Sequence, residues 1–436
     1  MEGTLKIGKR MFSENDIEYE IVEFLGSGGQ GEVYKVESDG QYYALKWYFK
    51  HMASVVQKDN LDRLIDQGAP DESFLWPMDI IDDGSTYGYV MPLRPDRYKS
   101  IVDLMKRTAE PSFYHLCKAG FNLTLGYQKL HSKGYCYRDI SFGNVFFDPN
   151  NGDVLICDND NVAVNGKKDT NVYGTQRFMA PEIVIGEAKP STDTDLYSMA
   201  VLLFYMFMLH HPLEGKREAS IKCMDVVAMN LLYGSNPVFI FDPEDKSNEA
   251  LSGYHDNALA YWNVYPKFLK DLFTEAFTKG IKERENRIVE RQWQAAFLRL
   301  MDSIMICEKC GVENFYEQER KDEEHTCWCC KSKLSIPNRL RIGKNHILLT
   351  EHTKIRNYYV SGEYDLYSYL GHVEANPNHP ELLGICNDTN TTWTYIKADG
   401  TKTQVPKGKK APVVSEAELD FGNVKGDFIL SDTKNE

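Results

Sequence analysis

Long apolar runs are missing from this chain, and positive charge is scarce beside negative. The longest apolar run, MAVLLFYMFML at 199–209, is too short to span a bilayer and reads as a buried helix. Fifty Lys and Arg stand against 64 Asp and Glu, a formal net charge of -14, which argues against broad attraction to nucleic acid or anionic lipid. The opening MEGTLKIGKRMFSEND has no apolar core of a secretory signal. A cytoplasmic protein is therefore expected, with neither nucleic acid nor membrane as a partner. Internal repeats and long low-complexity segments are also missing. Without an export signal, the ten cysteines do not imply disulfides. Cys117, Cys136, Cys157, Cys223 and Cys386 are scattered and read as small buried hydrophobes; the other five crowd into 307–330, which suggests metal.

At 436 residues the chain has room for two or three cores, and its composition falls into three zones: 15–303, 304–336 and 337–436. In the first, YEIVEFLGSGGQGEVYKVESDGQYYALKWYF alternates apolar and polar positions around glycines, the pattern of three antiparallel strands. A helical stretch and a short strand near YGYVMPL follow, then helical periodicity at 111–133, 192–210, 266–279 and 288–303. Beyond Pro337, alternating Tyr, Val, Ile and Thr between turn signals such as NPNHP and ADG predict a small all-β domain.

Gly26, Gly28 and Gly31 form a G-x-G-x-x-G-x-V pattern ending at Val33. Glycines let the backbone approach phosphate oxygens closely and offer open N-H donors. A dinucleotide site would need a helix directly after them, whereas EVYKV continues as strand. Fifteen residues past Gly31, Lys46 sits between Ala44, Leu45 and Trp47. An ammonium in so apolar a strand, after a glycine hairpin, reads as a ligand for nucleotide α- and β-phosphates. In YCYRDISFGNVFFD, Asp139 precedes Asn144 by five residues, the arrangement of a phosphoryl-transfer catalytic loop.

Taken in order, these segments resemble the eukaryotic-like serine/threonine protein kinase domain of bacterial type over about 15–303. The fold class this implies is α+β, a bilobal protein-kinase-like catalytic domain, followed here by a zinc ribbon and a small all-β sandwich. The resemblance assigns Gly26, Gly28, Gly31 and Val33 to the glycine-rich loop and Lys46 to the third-strand lysine, with Ala44 beside the nucleotide. Asp139 becomes the catalytic base, and Asn144 and Asp158 become magnesium ligands, with manganese as a substitute. YVMPLRP resembles the strand and hinge beside adenine, giving Met91 as gatekeeper, or as simple core filling, and then Leu93. Ala180, Pro181 and Glu182 close an activation segment, Arg287 pairs with Glu182, and Asp195 belongs to the central buried helix. Thr175 stands where serine/threonine kinases hydrogen-bond the catalytic aspartate. The activity implied is transfer of the γ-phosphoryl group of ATP to Ser or Thr hydroxyls of a protein substrate. Arg138 is assigned to a phosphate on the activation segment, with Thr170 as autophosphorylation site.

The chain departs from the family's pattern in four respects. Ser141 stands where a lysine would contact the γ-phosphate. Tyr137 replaces a histidine whose task is packing and bracing. Asn159 and Asp160 replace Phe and Gly after Asp158; Asp160 reads as a second acidic group near magnesium or, preferably, as a solvated loop carboxylate. The helix after Lys46 has no glutamate to pair with it, and helical phase favours Asp62 among Asp59, Asp62 and Asp66. The charged groups that touch metal and acceptor are nonetheless all present, so an active enzyme is expected. A nucleotide-binding pseudokinase scaffold is the alternative; a small-molecule or nucleoside kinase is disfavoured by the near-complete activation segment.

CEKCG and CWCCK supply Cys307, Cys310, Cys327 and Cys330 as C-x2-C, a sixteen-residue spacer and C-x2-C. Four thiolates satisfy tetrahedral zinc and leave no open position, so a structural ion is expected, with iron as the rival metal and Cys329 as an extra thiol. The acidic spacer VENFYEQERKDEEH suits a joint between domains. RIGKNHILLTE, the stretch from GICNDTNTTWTYIKADG onward and ELDFG faintly resemble forkhead-associated domains, which would put Asn387 or Asn390 in a ligand loop. A generic adaptor sandwich is the default, so the partner there is a phosphopeptide or an adaptor protein.

Overall fold

A computed structural model describes residues 3–166, 172–351, 353–363 and 365–431. They form two compact units. The first comprises 1–111, 119–259 and 272–290, and the second comprises 112–118, 260–271 and 291–436. The compositional zones 304–336 and 337–436 thus lie together in the second unit.

The first unit opens with six antiparallel strands. They are β1 (Arg10–Phe12), β2 (Glu18–Ser27), β3 (Gly31–Ser38), β4 (Gln41–Tyr48), β5 (Asp79–Asp82) and β6 (Tyr87–Pro92), in the spatial order β1-β2-β3-β4-β6-β5. The sheet begins earlier than the expected boundary at 15. β1 pairs with β2, and the Thr4 amide and hydroxyl donate to Glu32, a buried carboxylate that also accepts from Tyr34.

Because side chains alternate across a strand, the central strands divide into two faces. Tyr34, Val36, Leu45, Trp47 and Val90 enter one core with Ile21 and Ile81. On the opposite face Val33, Lys46 and Tyr89 stand in register across three strands, with Ala44 opposite Met91. Helix α1 (Val55–Gln67) covers that second face. Ser54 caps its first turn by accepting from the Gln57 amide, and Gly68 ends it at φ 68°.

Helices Phe113–Ser132, Thr192–Met208, Lys267–Phe277 and Glu290–Met301 occupy the four predicted helical stretches. The apolar run at 199–209 is buried along its whole length, as a helix apolar all round must be. Among the described residues no helix is long and apolar enough to cross a membrane.

In the second unit, residues 338–429 form two antiparallel sheets, one of six strands and one of four, closed over Trp393, Ile347, Ile355, Val373 and Phe428. The acidic spacer before them is structural. Glu313 accepts from the Phe113 and Tyr114 amides, and Glu317 accepts from the Lys267 amide at 2.8 Å. Each carboxylate thereby meets orphan donors at the start of a helix, where the helix dipole favours negative charge. Phe113, Tyr265 and Phe315 pack ring against ring beside them. At the other end of this region Asp302, which follows helix Glu290–Met301, accepts from Arg356 at 2.9 and 3.0 Å and from Tyr359 at 2.7 Å.

Candidate functional site

The loop around Asp139 is held by its backbone. Arg138 has φ 77°, a left-handed conformation that costs energy for a non-glycine residue. It is stabilised from the buried helix: Asp195 accepts from the Tyr137 amide at 2.5 Å and from the Arg138 amide at 2.9 Å. Tyr137 is wholly buried, packs edge-on against Tyr127 and donates its hydroxyl to the Cys157 carbonyl. It therefore does the bracing expected of the residue it replaces. Phe142 closes the loop against Phe178 and Tyr205, with ring centroids 4.8 and 4.4 Å away.

The half-buried Asp139 carboxylate accepts 2.8 Å from the Thr175 hydroxyl and 3.2 Å from the Asn144 amide nitrogen. That nitrogen also donates to the Asp139 carbonyl at 2.8 Å, so the Asn144 oxygen is turned away from Asp139. The Asn144 carbonyl accepts from the Cys157 amide, which sets Asn144 next to the segment carrying Asp158. The Glu182–Arg287 pair forms as expected, at 2.8 Å, with both residues buried. Thr170, assigned as a phosphorylation site, lies outside the described residues. The Arg138 Nε donates to the Asn161 carbonyl.

Two expectations about charge are overturned. Asp62 does not pair with Lys46. It is exposed on the outer face of α1, where Glu14, Asp59 and Asp66 add negative charge around it; the face turned inward carries Gln57, Asn60, Leu61 and Leu64, at helical spacing. Nor is Asp160 a solvated loop carboxylate. Its side chain is fully buried and accepts from Lys46 at 3.0 and 3.1 Å, Tyr48 at 2.5 Å, Tyr89 at 3.1 Å and Gln57 at 3.4 Å. Burial opposes ionisation of Asp160, yet the charge of Lys46 and the hydrogen bonds from Tyr48, Lys46 and Tyr89 outweigh it and hold the carboxyl below its ordinary range. Lys46 is raised in turn: burial works against its charge, and the charges of Asp160 and Asp158 prevail. Asn159, in the place of an apolar ring, donates its amide to the Leu75 and Ile156 carbonyls.

Asp158 differs from Asp160. Its side chain is 40% exposed and stands 3.5 Å from the Lys46 ammonium. Protein packed around the carboxyl still withholds part of its water, and this, with the charges of Asp160 and Asp139 added, raises it above the ordinary range against the pull of Lys46. Two carboxylates, Asp158 and Asp160, thus share one ammonium, and the charge of Asp139 also reaches Asp158, an excess of negative charge that a divalent cation beside Asp158 and the Asn144 oxygen would relieve.

Above Lys46 the glycines have separate duties. A Cβ on Gly31 would lie 2.2 Å from the Trp47 carbonyl oxygen, so close strand approach demands glycine there. Cβ atoms on Gly26 and Gly28 would meet nothing within 4 Å. Gln30, at the loop's tip, accepts from the Lys46 ammonium at 2.8 Å. Val33, Ala44, Met91 and Leu93 share one apolar cluster, joined by Phe146 and Cys157, which the motif reading missed. Phe146 had a signal, since its place two after Asn144 puts it on the strand leaving the loop.

In the second unit the four expected sulfurs come together. The Sγ atoms of Cys307, Cys310, Cys327 and Cys330 all lie within 4.8 Å of one another, two pairs at 3.6 Å. The knuckles are alike: the Gly311 amide donates to the Cys307 carbonyl and the Lys331 amide to that of Cys327, with Gly311 at φ 72° and Lys331 at φ 60°. Cys329 is exposed and outside the group.

A family model described as protein kinase domain matches residues 19–286. The cell cycle serine/threonine-protein kinase CDC5/MSD2 of Saccharomyces cerevisiae is 26% identical over 229 residues, covering 48% of this chain and 31% of that protein. The serine/threonine-protein kinase SCH9 of the same yeast is 27% identical over 215 residues, 45% of this chain and 24% of that protein. Protein kinase C delta type of Mus musculus is 35% identical over 123 residues, 27% of this chain and 18% of that protein. The chain spans less than a third of the length of these relatives.

Proposed function

The chain belongs to the protein kinase family, and on that premise we propose that it transfers the γ-phosphoryl group of ATP to Ser or Thr hydroxyls of protein substrates. The observation that carries this reading is the Asp139 carboxylate, fixed by Thr175 and Asn144 in the network that also gathers Asp158 and Lys46. Phosphoryl transfer passes through a loose transition state, so alignment and charge neutralisation do most of the catalysis. Asp139 accepts a hydrogen bond from the incoming hydroxyl and aims its oxygen. Lys46 holds the nonreacting phosphates, beneath glycine-loop amides around Gly26, Gly28 and Gly31. Val33, Ala44, Met91 and Leu93 receive the adenine. Asp158 and the Asn144 oxygen would hold magnesium, or manganese in its place, and the ion would supply positive charge against the phosphates. With serine at position 141, no lysine stands there to share with Lys46 the neutralisation of the phosphates. The Thr175 contact and the serine/threonine kinases among the relatives support the acceptor class.

Labelled ATP with magnesium and a basic protein acceptor tests this reading. Transfer is expected from wild type and a loss of at least a hundredfold from Asp139→Ala. Binding of ATP by wild type without any transfer would leave the scaffold reading in its place.

For the four cysteines we propose a structural zinc ion. Tetrahedral bonds of about 2.3 Å imply sulfur separations of about 3.8 Å, and the paired sulfurs at 3.6 Å suit that geometry. The C-terminal sandwich is proposed as an interaction domain. Asn387 is fully buried and spends its amide on the Thr391 and Val405 carbonyls, whereas Asn390 is exposed, so Asn390 is the one offered to a phosphopeptide. Calorimetry with phosphothreonine peptides, showing heat that Asn390→Ala abolishes, would support this; no heat would retire it.

A further inference from the structure

A buried lysine in a phosphate site needs a counter-charge that positions it without pulling it away. In this chain no acidic residue of α1 supplies one, because Asp59, Asp62 and Asp66 are all exposed. The inward face of that helix offers amides instead. Gln57 reaches Asp160 at 3.4 Å, and Asn60 donates to the Val162 carbonyl at 2.9 Å. We propose that Asp160 is the positioning residue for Lys46, so that the ion pair organising the phosphate site is assembled from the sheet and the segment after Asp158 and does not depend on where α1 stands.

The contact pattern supports this in three ways. Lys46 and Tyr48 lie on the same face of β4, and Tyr89 is the direct cross-strand partner of Lys46 in β6. The sheet therefore supplies four of the five hydrogen bonds that Asp160 accepts, and α1 supplies one. Secondly, both Asp160 oxygens are already occupied by donors in a side chain closed to solvent, which excludes it as a cation ligand; Asp158, 40% exposed, keeps that task. Thirdly, the inward face of α1 presents amides, Gln57 and Asn60, while the segment after Asp158 presents the carboxylate, so the negative charge facing Lys46 enters from the segment and not from the helix. A kinase built this way keeps its lysine in place while α1 moves, so control through displacement of that helix is not expected.

The proposal rests on the kinase reading above, and charge exchange tests it separately. Mg-ATP affinity by calorimetry and kcat/KM for phosphate transfer would be measured on the full chain, for wild type, Asp160→Asn, Gln57→Glu and the double variant. Asp160→Asn is expected to lose at least tenfold in both quantities. Gln57→Glu places a carboxylate one contact away from Lys46. It should impair wild type by crowding Asp160, yet restore the Asp160→Asn variant at least threefold. Asp62→Asn should stay within twofold of wild type. The proposal is overturned if Asp160→Asn stays within threefold of wild type, or if Gln57→Glu changes both backgrounds in the same direction, as a merely structural role would allow. Should Asp160→Asn fail to fold, the Tyr48→Phe/Tyr89→Phe variant decides: a threefold or greater loss of Mg-ATP affinity supports the proposal and unchanged affinity overturns it. A wild type that binds ATP without transfer would remove the kinase reading while calorimetry still scores Asp160, and a wild type that does neither removes both.

Discussion

His131 ties the stability of the catalytic unit to pH. Its imidazole is clamped between two carboxylates, with Nε2 3.2 Å from Asp195 and Nδ1 on Glu290. Burial disfavours its charge, but hydrogen bonds to Asp195 and Glu290, and their negative charges, prevail and push its pKa from 6.5 to about 9. A folded pKa above the unfolded one stabilises the fold fully below pH 6.5, and that contribution disappears as pH rises through 9. At about 1.4 kcal/mol per pKa unit, the contribution is about 3 kcal/mol at most. It should be about 2.5 kcal/mol at pH 7 and close to zero at about pH 10. Asp195 is also the acceptor for the Tyr137 and Arg138 amides, so the proton on His131 supports the loop that carries Asp139. The assay is urea unfolding of wild type and His131→Gln from pH 6 to 10, read as the difference between them so that other titrating groups cancel. Wild type should lead by about 2 to 3 kcal/mol near neutrality and by less than about 1 kcal/mol at pH 10. A difference that is flat with pH, or that widens as pH rises, would refute the argument.

Three further outcomes are expected. Arg287→Met should destabilise the first unit by about 3 kcal/mol, near the lower end for a broken buried pair, because Arg284 remains 3.2 Å from Glu182; chemical denaturation checks this. Elemental analysis should find one zinc per chain, lost together with second-unit melting temperature in Cys310→Ser and retained in Cys329→Ser; iron in its place would correct the metal alone. Asn387→Ala should cost the sandwich about 2 to 3 kcal/mol, since it strips the donors from two carbonyls, one of them buried, while Asn390→Ala leaves stability unchanged.

Much of the fold was legible because it rests on local pattern. The glycine hairpin, the four long helices and the apolar run of the buried helix each announce themselves within a dozen or so residues, where period and turn chemistry suffice. The cysteine knuckles are legible for the same reason. β1 was missed because three residues carry too little alternation to register, and what fixes that edge of the sheet is the pairing of Arg10, Met11 and Phe12 with Glu20, Tyr19 and Glu18 of β2. The acidic spacer gave its charge but not its purpose: that Glu313 and Glu317 meet helix starts at Phe113 and Lys267 depends on pairings about 200 and 50 residues apart.

The site shows the same division more sharply. The residues proposed to meet phosphate, metal and acceptor lie in short motifs of fixed spacing, so Lys46, Asp139, Asn144 and Asp158 could be read in order. The groups that hold those residues in place come from distant parts of the chain and carry no such local signature. Looking for the partner of Lys46 along α1 leads to Asp62, because helical phase is the only guide available within that segment, whereas the counter-charge enters from Asp160, 114 positions later. Tyr48 and Tyr89 could have pointed there: two hydroxyls on the lysine's own sheet face require an acceptor once buried, and Asp160 is the carboxylate that meets both. The missing helix glutamate and the unexpected aspartate after Asp158 therefore meet at one point of the structure, because the carboxylate beside Lys46 comes from Asp160 and not from α1.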